Sequence, residues 1–448
     1  MTHPASSRIH DQPGDLQRLA HELIPGGCHT YAKGDDQYPE GAPAFIARGQ
    51  GSHVWDADGN EYIEYGMGLR AVTLGHAFAP VVRAAARQME LGSNYTRPAP
   101  IEVECAEKLL GALQSGDQVK FAKDGSAVIT AATRLARAHT GRDIVAYCAD
   151  HPFFSYNDWF IGSWQMAAGI PAPYRSLTAT FRYNDLDSLR ALFARYPGQI
   201  ACVLLEPERE VPPRDGFLRA ACELARANGA LFILDEMITG FRWHLGGAQA
   251  VYGVEPDLAA FGKALANGFA LSALVGKREV MELGGWSHDR DRVFLLSTTH
   301  GAETHALAAA IATIEVYERE PVIAALHRQG QRLKRGCDAV AAELGLADHV
   351  QVVGRPCNLV YVTRDPEGRP SQAFRTLFMQ ELIKRGVLGP SFVVSYSHSD
   401  SDIDRTIDAV RAALIVYRRG LEDGIDTVLE GRPVRPVDRR AAAAPGAR

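Results

Sequence analysis

Apolar and polar positions follow two different periods along this chain. GSHVWDADGNEYIEY alternates in twos on either side of Asp58, Gly59 and Asn60, which predicts a β-hairpin. From about residue 76 the period lengthens. PVVRAAARQMELG and PIEVECAEKLLGAL place apolar residues three and four apart, as amphipathic helices do. Short apolar runs then alternate with helical segments. VKFAKDGS, DIVAYC, ACVLLEP, ALFILDE and LAAFGK read as strands; AVITAATRLARAHTG, DLDSLRALFARY and FLRAACELARANG read as helices. This alternation predicts an α/β fold, a mostly parallel sheet with helices on both faces. The ligand site of such a sheet lies at the carboxyl ends of its strands.

The same reading divides the chain. Residues 1–75 form an N-terminal segment of helix (DLQRLAHEL), loop to about residue 50, and hairpin. Residues 76–317 form the large domain, which the helix HALAAAIATIEVYERE leaves. Residues 318–430 form a smaller α/β domain with strands QVVG and NLVYVT. Residues 431–448, rich in Pro, Ala and Arg, read as a disordered tail.

Composition narrows the function. A net charge of -5 gives no electrostatic reason to expect nucleic acid or an anionic membrane as partner. No apolar run approaches the roughly 20 residues that span a bilayer, and the first residues carry no apolar leader. The seven cysteines are scattered without a C-x-x-C pair, which predicts reduced thiols, a cytoplasmic location and no bound metal.

Three features carry chemistry. Lys263, in AFGKALANG, follows an apolar run among small neighbours, where a desolvated amine suits Schiff-base formation; a solvated lysine at a strand end fits the same pattern. Asp235 closes the apolar run LFILD and could keep a heterocyclic nitrogen protonated, or simply cap a helix. Asp124, Gly125 and Ser126 join a strand to a helix, a turn whose free N–H groups suit a phosphate and equally an ordinary helix cap.

Taken together, LDEMITGFR, followed 28 residues after Asp235 by the lysine of FGK, resembles the class III, fold-type-I aminotransferases. The nearest branch is that of the glutamate-1-semialdehyde aminomutases, and the resemblance runs from about residue 20 to 420. It implies pyridoxal 5'-phosphate as cofactor, with Lys263 as Schiff-base lysine and Asp235 on the ring nitrogen. It also implies that Met237 lies on one ring face and Phe153 on the other, with Phe154 as the near alternative. Gly125 and Ser126 would hold the phosphate, and Glu206 would lie near cofactor or substrate. Thr299, with Thr298 competing, would reach the phosphate of a neighbouring subunit. The active unit would then be a homodimer with shared sites, taking a small amino donor and an oxo acceptor.

The substrate side departs from the aminomutase pattern. Thr30 and Lys33 stand in GGCHTYAK where the pattern has Ser and Arg. Leu69 replaces a Trp, and Arg70 a Gly. Lysine cannot make arginine's forked contact with a carboxylate. These changes make Arg70, with Lys33, a candidate for an anionic substrate group, and they favour an aminotransferase. An aminomutase and an amino-acid epimerase are the alternatives. A dinucleotide binder is disfavoured, because no strand runs into G-x-G-x-x-G.

Overall fold

The computed structural model describes residues 14–435. After the helix Asp15–Leu23, strand β1 (Ile46–Gln50) pairs antiparallel with β2 (His53–Asp56), and β2 with β3 (Glu61–Glu64). The β2–β3 connection is the expected hairpin. The Asp56 carboxylate accepts from Asp58 N at 3.0 Å and Asn60 N at 2.8 Å, and Gly59 supplies the positive φ of 88°. Strand β1 lay inside the stretch expected to be loop. Its side chains are almost all exposed, so it carries no alternation to read.

Seven strands build the large sheet: β4 (Gln118–Ala122), β5 (Ile144–Cys148), β6 (Thr178–Phe181), β7 (Ile200–Leu205), β8 (Leu231–Asp235), β9 (Leu258–Phe261) and β10 (Ser272–Gly276). Their order is β4-β10-β9-β8-β7-β5-β6. Neighbours from β9 to β6 are parallel, and β10 runs antiparallel to β9 and β4. The sheet is therefore mixed but mostly parallel, as expected.

Strand alternation distributes the core. Val145, Leu204 and Ile233 face one layer with Val128 and Leu135 of the helix Gly125–Thr140. Ala146, Val203 and Phe232 face the other with Leu218 and Ala221 of the helix Phe217–Ala227. Each such Val, Leu or Phe contributes about 2 kcal/mol through burial. Both faces are covered, so the strands are continuous apolar runs and only their ends are free to carry polar chemistry.

The buried helix Thr304–Arg319 leads to the helix Val322–Glu343, then β11 (Val350–Val353), β12 (Val360–Thr363), β13 (Val387–Leu388) and the helix Asp400–Asp423. Strand β13 pairs parallel with β3, Val387 opposite Ile63. The C-terminal part and the N-terminal segment thus share one sheet. The expected tail begins with a docked stretch: Val434 is buried, and its N–H donates to Thr376 Oγ1 at 2.9 Å. Residues 436–448, the rest of that tail, lie outside the described residues, as do residues 1–13.

Candidate active site

Asp235 and Lys263 sit at the carboxyl ends of adjacent strands, β8 and β9. Alternation turns Asp235 and Glu236 to opposite sides. Glu236 is buried and accepts from Ala248 N at 2.8 Å, Gln249 N at 2.7 Å and the Thr239 hydroxyl. Asp235 is buried, and its one side-chain hydrogen bond among the described residues comes from Met237 N at 3.0 Å. Lys263 makes no hydrogen bond or ion pair among the described residues, and its φ of 47° lies in the left-handed region. Strained backbone of this kind persists only where its surroundings hold it.

Electrostatics couple the two. Burial pushes the Lys263 amine below its ordinary value, while Asp235 and Glu206 oppose that shift. Burial pushes the Asp235 carboxyl up against the pull of Lys263, and Glu206 rises for the same reason. Lys263 and Asp235 thus feel each other without a hydrogen bond or ion pair between them.

Met237 is buried between two glycines. A Cβ on Gly125 would meet its Sδ at 2.9 Å, and one on Gly262 would meet it at 2.6 Å. Any larger residue at either place would displace the side chain. At the helix Gly125–Thr140, Asp124 caps Ala127 N at 2.9 Å. The N–H groups of Gly125 and Ser126 find no partner among the described residues. Two unpaired donors at a helix N-terminus suit a phosphate. A free amine, a buried carboxylate across from it, a thioether floor and an anion-binding turn together fit a phosphorylated pyridine aldehyde.

The loop after β5 is tied to this helix. Ser155 Oγ donates to Ser126 O at 3.2 Å, Tyr156 N to Ser126 Oγ at 3.2 Å, and Trp159 Nε1 to Thr130 Oγ1 at 2.8 Å. Phe153 is exposed, its ring edge-on to Phe160 and Trp164, whereas Phe154 is buried in the core. Of the two, Phe153 is the one free to stack on a ligand.

Glu206 directly follows β7, buried, with its N–H donating to His151 Nδ1 at 3.0 Å and Oε1 3.8 Å from Arg209 Nη1. That bond fixes His151 as an acceptor at Nδ1, hence neutral. Burial and the charge of Arg209 hold its pKa down to about 3. His151 and Arg209 were not singled out from the sequence. Both lie in loops, HPFFSYNDW and EPERE, where no period marks a residue as facing the site.

The other candidates lie farther out. Thr30 and Lys33 are exposed. Lys33 lines a cleft of about 790 Å³ with Cys28, Gly68, Leu69 and His76. Arg70 is partly buried and acts on Lys263 electrostatically. Thr299 is exposed in the loop before the helix Thr304–Arg319, its carbonyl accepting from Asn94 Nδ2 at 3.2 Å. Among the described residues no group of His, Cys, Asp and Glu is arranged to hold a metal.

Comparisons with known proteins converge. The family model for aminotransferase class-III matches residues 35–414. A glutamate-1-semialdehyde 2,1-aminomutase from Thermus thermophilus is 34% identical over 420 residues, 87% of this chain and 96% of its own. A 3-aminobutyryl-CoA aminotransferase from Cloacimonas acidaminovorans is 32% identical over 413 residues, 90% of this chain and 96% of its own. The FumI protein of Sphingopyxis sp. MTA144, solved in its PLP internal aldimine form, superposes with a TM-score of 0.85. It is 28% identical, and the match covers 95% of this chain and 99% of that one.

Proposed function

We propose a function from one premise: the chain belongs to the class-III aminotransferase family, whose enzymes use pyridoxal phosphate. It moves an amino group between a small amino compound and an oxo acceptor, with Lys263 as the anchoring and proton-carrying amine. The observation that carries this reading is the Lys263–Asp235 arrangement: opposite charges at the ends of β9 and β8, coupled but unbonded.

Pyridoxal phosphate, when bound, supplies an aldehyde that captures amines and a protonated ring that takes up electrons. The chain does the rest. Burial keeps a larger fraction of Lys263 unprotonated, and so nucleophilic, than water would. With the cofactor bound, its Nζ would take a proton from the substrate carbon and return it to the acceptor position. Asp235, oriented by Met237 N–H, would hold a proton on the ring nitrogen. Met237 and Phe153 would flank the ring, and the free N–H groups of Gly125 and Ser126 would receive the phosphate. Glu206 lies beside this centre.

The homodimer follows from the same reading. Thr299 stands on an exposed loop, free to reach a neighbouring subunit's site. A cytoplasmic enzyme agrees with seven free cysteines. Among the described residues no helix is long and apolar enough to cross a membrane.

An aminomutase is the second reading, favoured by the Thermus thermophilus relative. Against it stand Thr30, Lys33, Leu69 and Arg70, which replace the aminomutase Ser, Arg, Trp and Gly. The deciding experiment follows the visible absorbance of the cofactor-loaded protein as single amino compounds are added. An aminotransferase loses the band with a donor and regains it with a separate oxo acid. A band that no amine changes would end the reading.

A further inference from the structure

Arg70 projects from an unusual backbone. Met67, Gly68, Leu69 and Arg70 have φ of 43°, 57°, 57° and 72°, four consecutive residues in the left-handed region. L side chains disfavour this region, so the turn must be held from outside. Arg242, fully buried, holds it. Its Nη2 donates to Arg70 O at 3.1 Å and Thr73 Oγ1 at 2.8 Å, and its Nη1 to Cys357 O at 3.1 Å and Val394 O at 3.2 Å. The Arg70 side chain is fixed by one neutral bond, Nε to Asn358 Oδ1 at 2.9 Å.

The rest of the guanidinium is unspent. Neither Nη of Arg70 has a hydrogen-bond or ion-pair partner among the described residues. The nearby acids Glu206 and Glu210 are engaged by Arg209, at 3.8 and 3.4 Å. Arg70 and Arg209 both act electrostatically on Lys263, and on each other. A partly buried cation, held by its turn and by Asn358 within electrostatic reach of the reacting amine and of Glu206 and Glu210, is thus left without an ion-pair partner among the described residues.

We propose that Arg70, backed by Arg209 rather than Lys33, is the receptor for a carboxylate carried by the substrate. This rests on the aminotransferase reading and narrows its substrates to amino and oxo acids. With Nε taken by Asn358, the paired Nη groups present the fork that matches the two oxygens of a carboxylate. Arg209 adds positive charge beside the fork while its own contacts stay with Glu206 and Glu210.

The test separates binding from turnover. The full-length, cofactor-loaded protein is titrated calorimetrically with acetate, propionate and butyrate, each beside its amide. These acids carry no amine and do not react. At least one carboxylate should bind about ten-fold or more tightly than its amide. Arg70→Gln should abolish that preference, and Arg70→Lys should restore only part of it, with the thermal midpoint of each variant confirming that it folds. Equal binding of acid and amide by the wild type, or a preference that survives Arg70→Gln, overturns the proposal. So does a ten-fold loss of cofactor affinity in Arg70→Gln, which would assign the arginine to the cofactor phosphate. A parallel scan of β-alanine and β-alaninamide against the cofactor band tells the two readings apart. A carboxylate preference without any band change removes the aminotransferase and leaves the subsite. A band change without a preference does the reverse.

Discussion

Arg242 Nη2 donates to the backbone carbonyl of Arg70 at 3.1 Å, linking the residue that follows LDEMITGF to the turn that presents Arg70. The same guanidinium bonds Cys357 O and Val394 O, so three separated stretches of chain meet on one side chain. Arg242 has no carboxylate partner among the described residues, and burial lowers its pKa from the ordinary arginine value. An arginine stays protonated regardless. Its charge is therefore held by carbonyl dipoles, an arrangement that tolerates no shorter or apolar replacement.

Arg242→Met should accordingly destabilise the protein by on the order of 3 kcal/mol or more, since several charge-assisted bonds are lost and buried carbonyls are left unpaired. Urea unfolding of the cofactor-loaded protein measures this. The left-handed turn should relax at the same time, so kcat/KM should fall further than the cofactor affinity does. A variant with wild-type stability and kinetics would show that the turn holds itself.

Lys263→Ala removes the amine that captures the cofactor and carries the proton. Turnover should fall by roughly three orders of magnitude or more. The thermal midpoint should stay level or rise, because a desolvated amine without a hydrogen-bond partner is removed. Steady-state rates beside a melting curve decide it; retained turnover would eliminate Lys263 from the chemistry.

The sequence was informative where a period or a spacing constrains the answer. Buried strands such as LFILD and LAAF, and helices such as AVITAATRLARAHTG, announce themselves because both sheet faces are covered. Asp235 and Lys263 stand out because each ends an apolar run. Strands β6 and β10 were missed. β6 is a partly exposed edge strand, and β10 is a short run directly after the NGF turn. Arg209 and His151 escaped because loop residues face a site through tertiary packing alone. The pairing of Arg70 with Lys33 rests on departures from the aminomutase loops, whereas Arg209, which acts on Arg70 electrostatically, sits in a loop after β7 where no period marks it.

Gly262→Ala should act on cofactor binding. The added Cβ would lie 2.6 Å from both Met237 Sδ and Ser272 Oγ, closer than real contacts allow. Met237 can swing aside, but then it leaves the floor of the site. Crowding of this kind costs about 1–3 kcal/mol, which predicts weaker cofactor affinity by about ten-fold or more in an equilibrium titration. Met237→Ala combined with Gly262→Ala should relieve the clash and recover part of the affinity. No recovery would mean that Ser272, on the other side, is the group that cannot move.

His151 predicts a pH dependence with a definite sign. Its Nδ1 accepts the Glu206 N–H, and burial, then the charge of Arg209, hold its pKa down to about 3. In the unfolded chain its pKa returns to about 6.5. The unfolded state therefore binds the proton more tightly, and the stability that neutral His151 contributes is present above pH about 6.5 and lost as pH falls toward 3. His398 is depressed as well, to about 4, and adds to the same acid limb. His151→Gln keeps an acceptor for the Glu206 N–H without a titrating ring. Thermal midpoints taken from pH 8 down to pH 5 should fall less steeply in the variant than in the wild type, the two curves converging on the acid side. Parallel curves would mean that His151 takes up its proton as readily in the folded protein as in the unfolded chain, and that its bond to Glu206 N–H is not the one the structure shows.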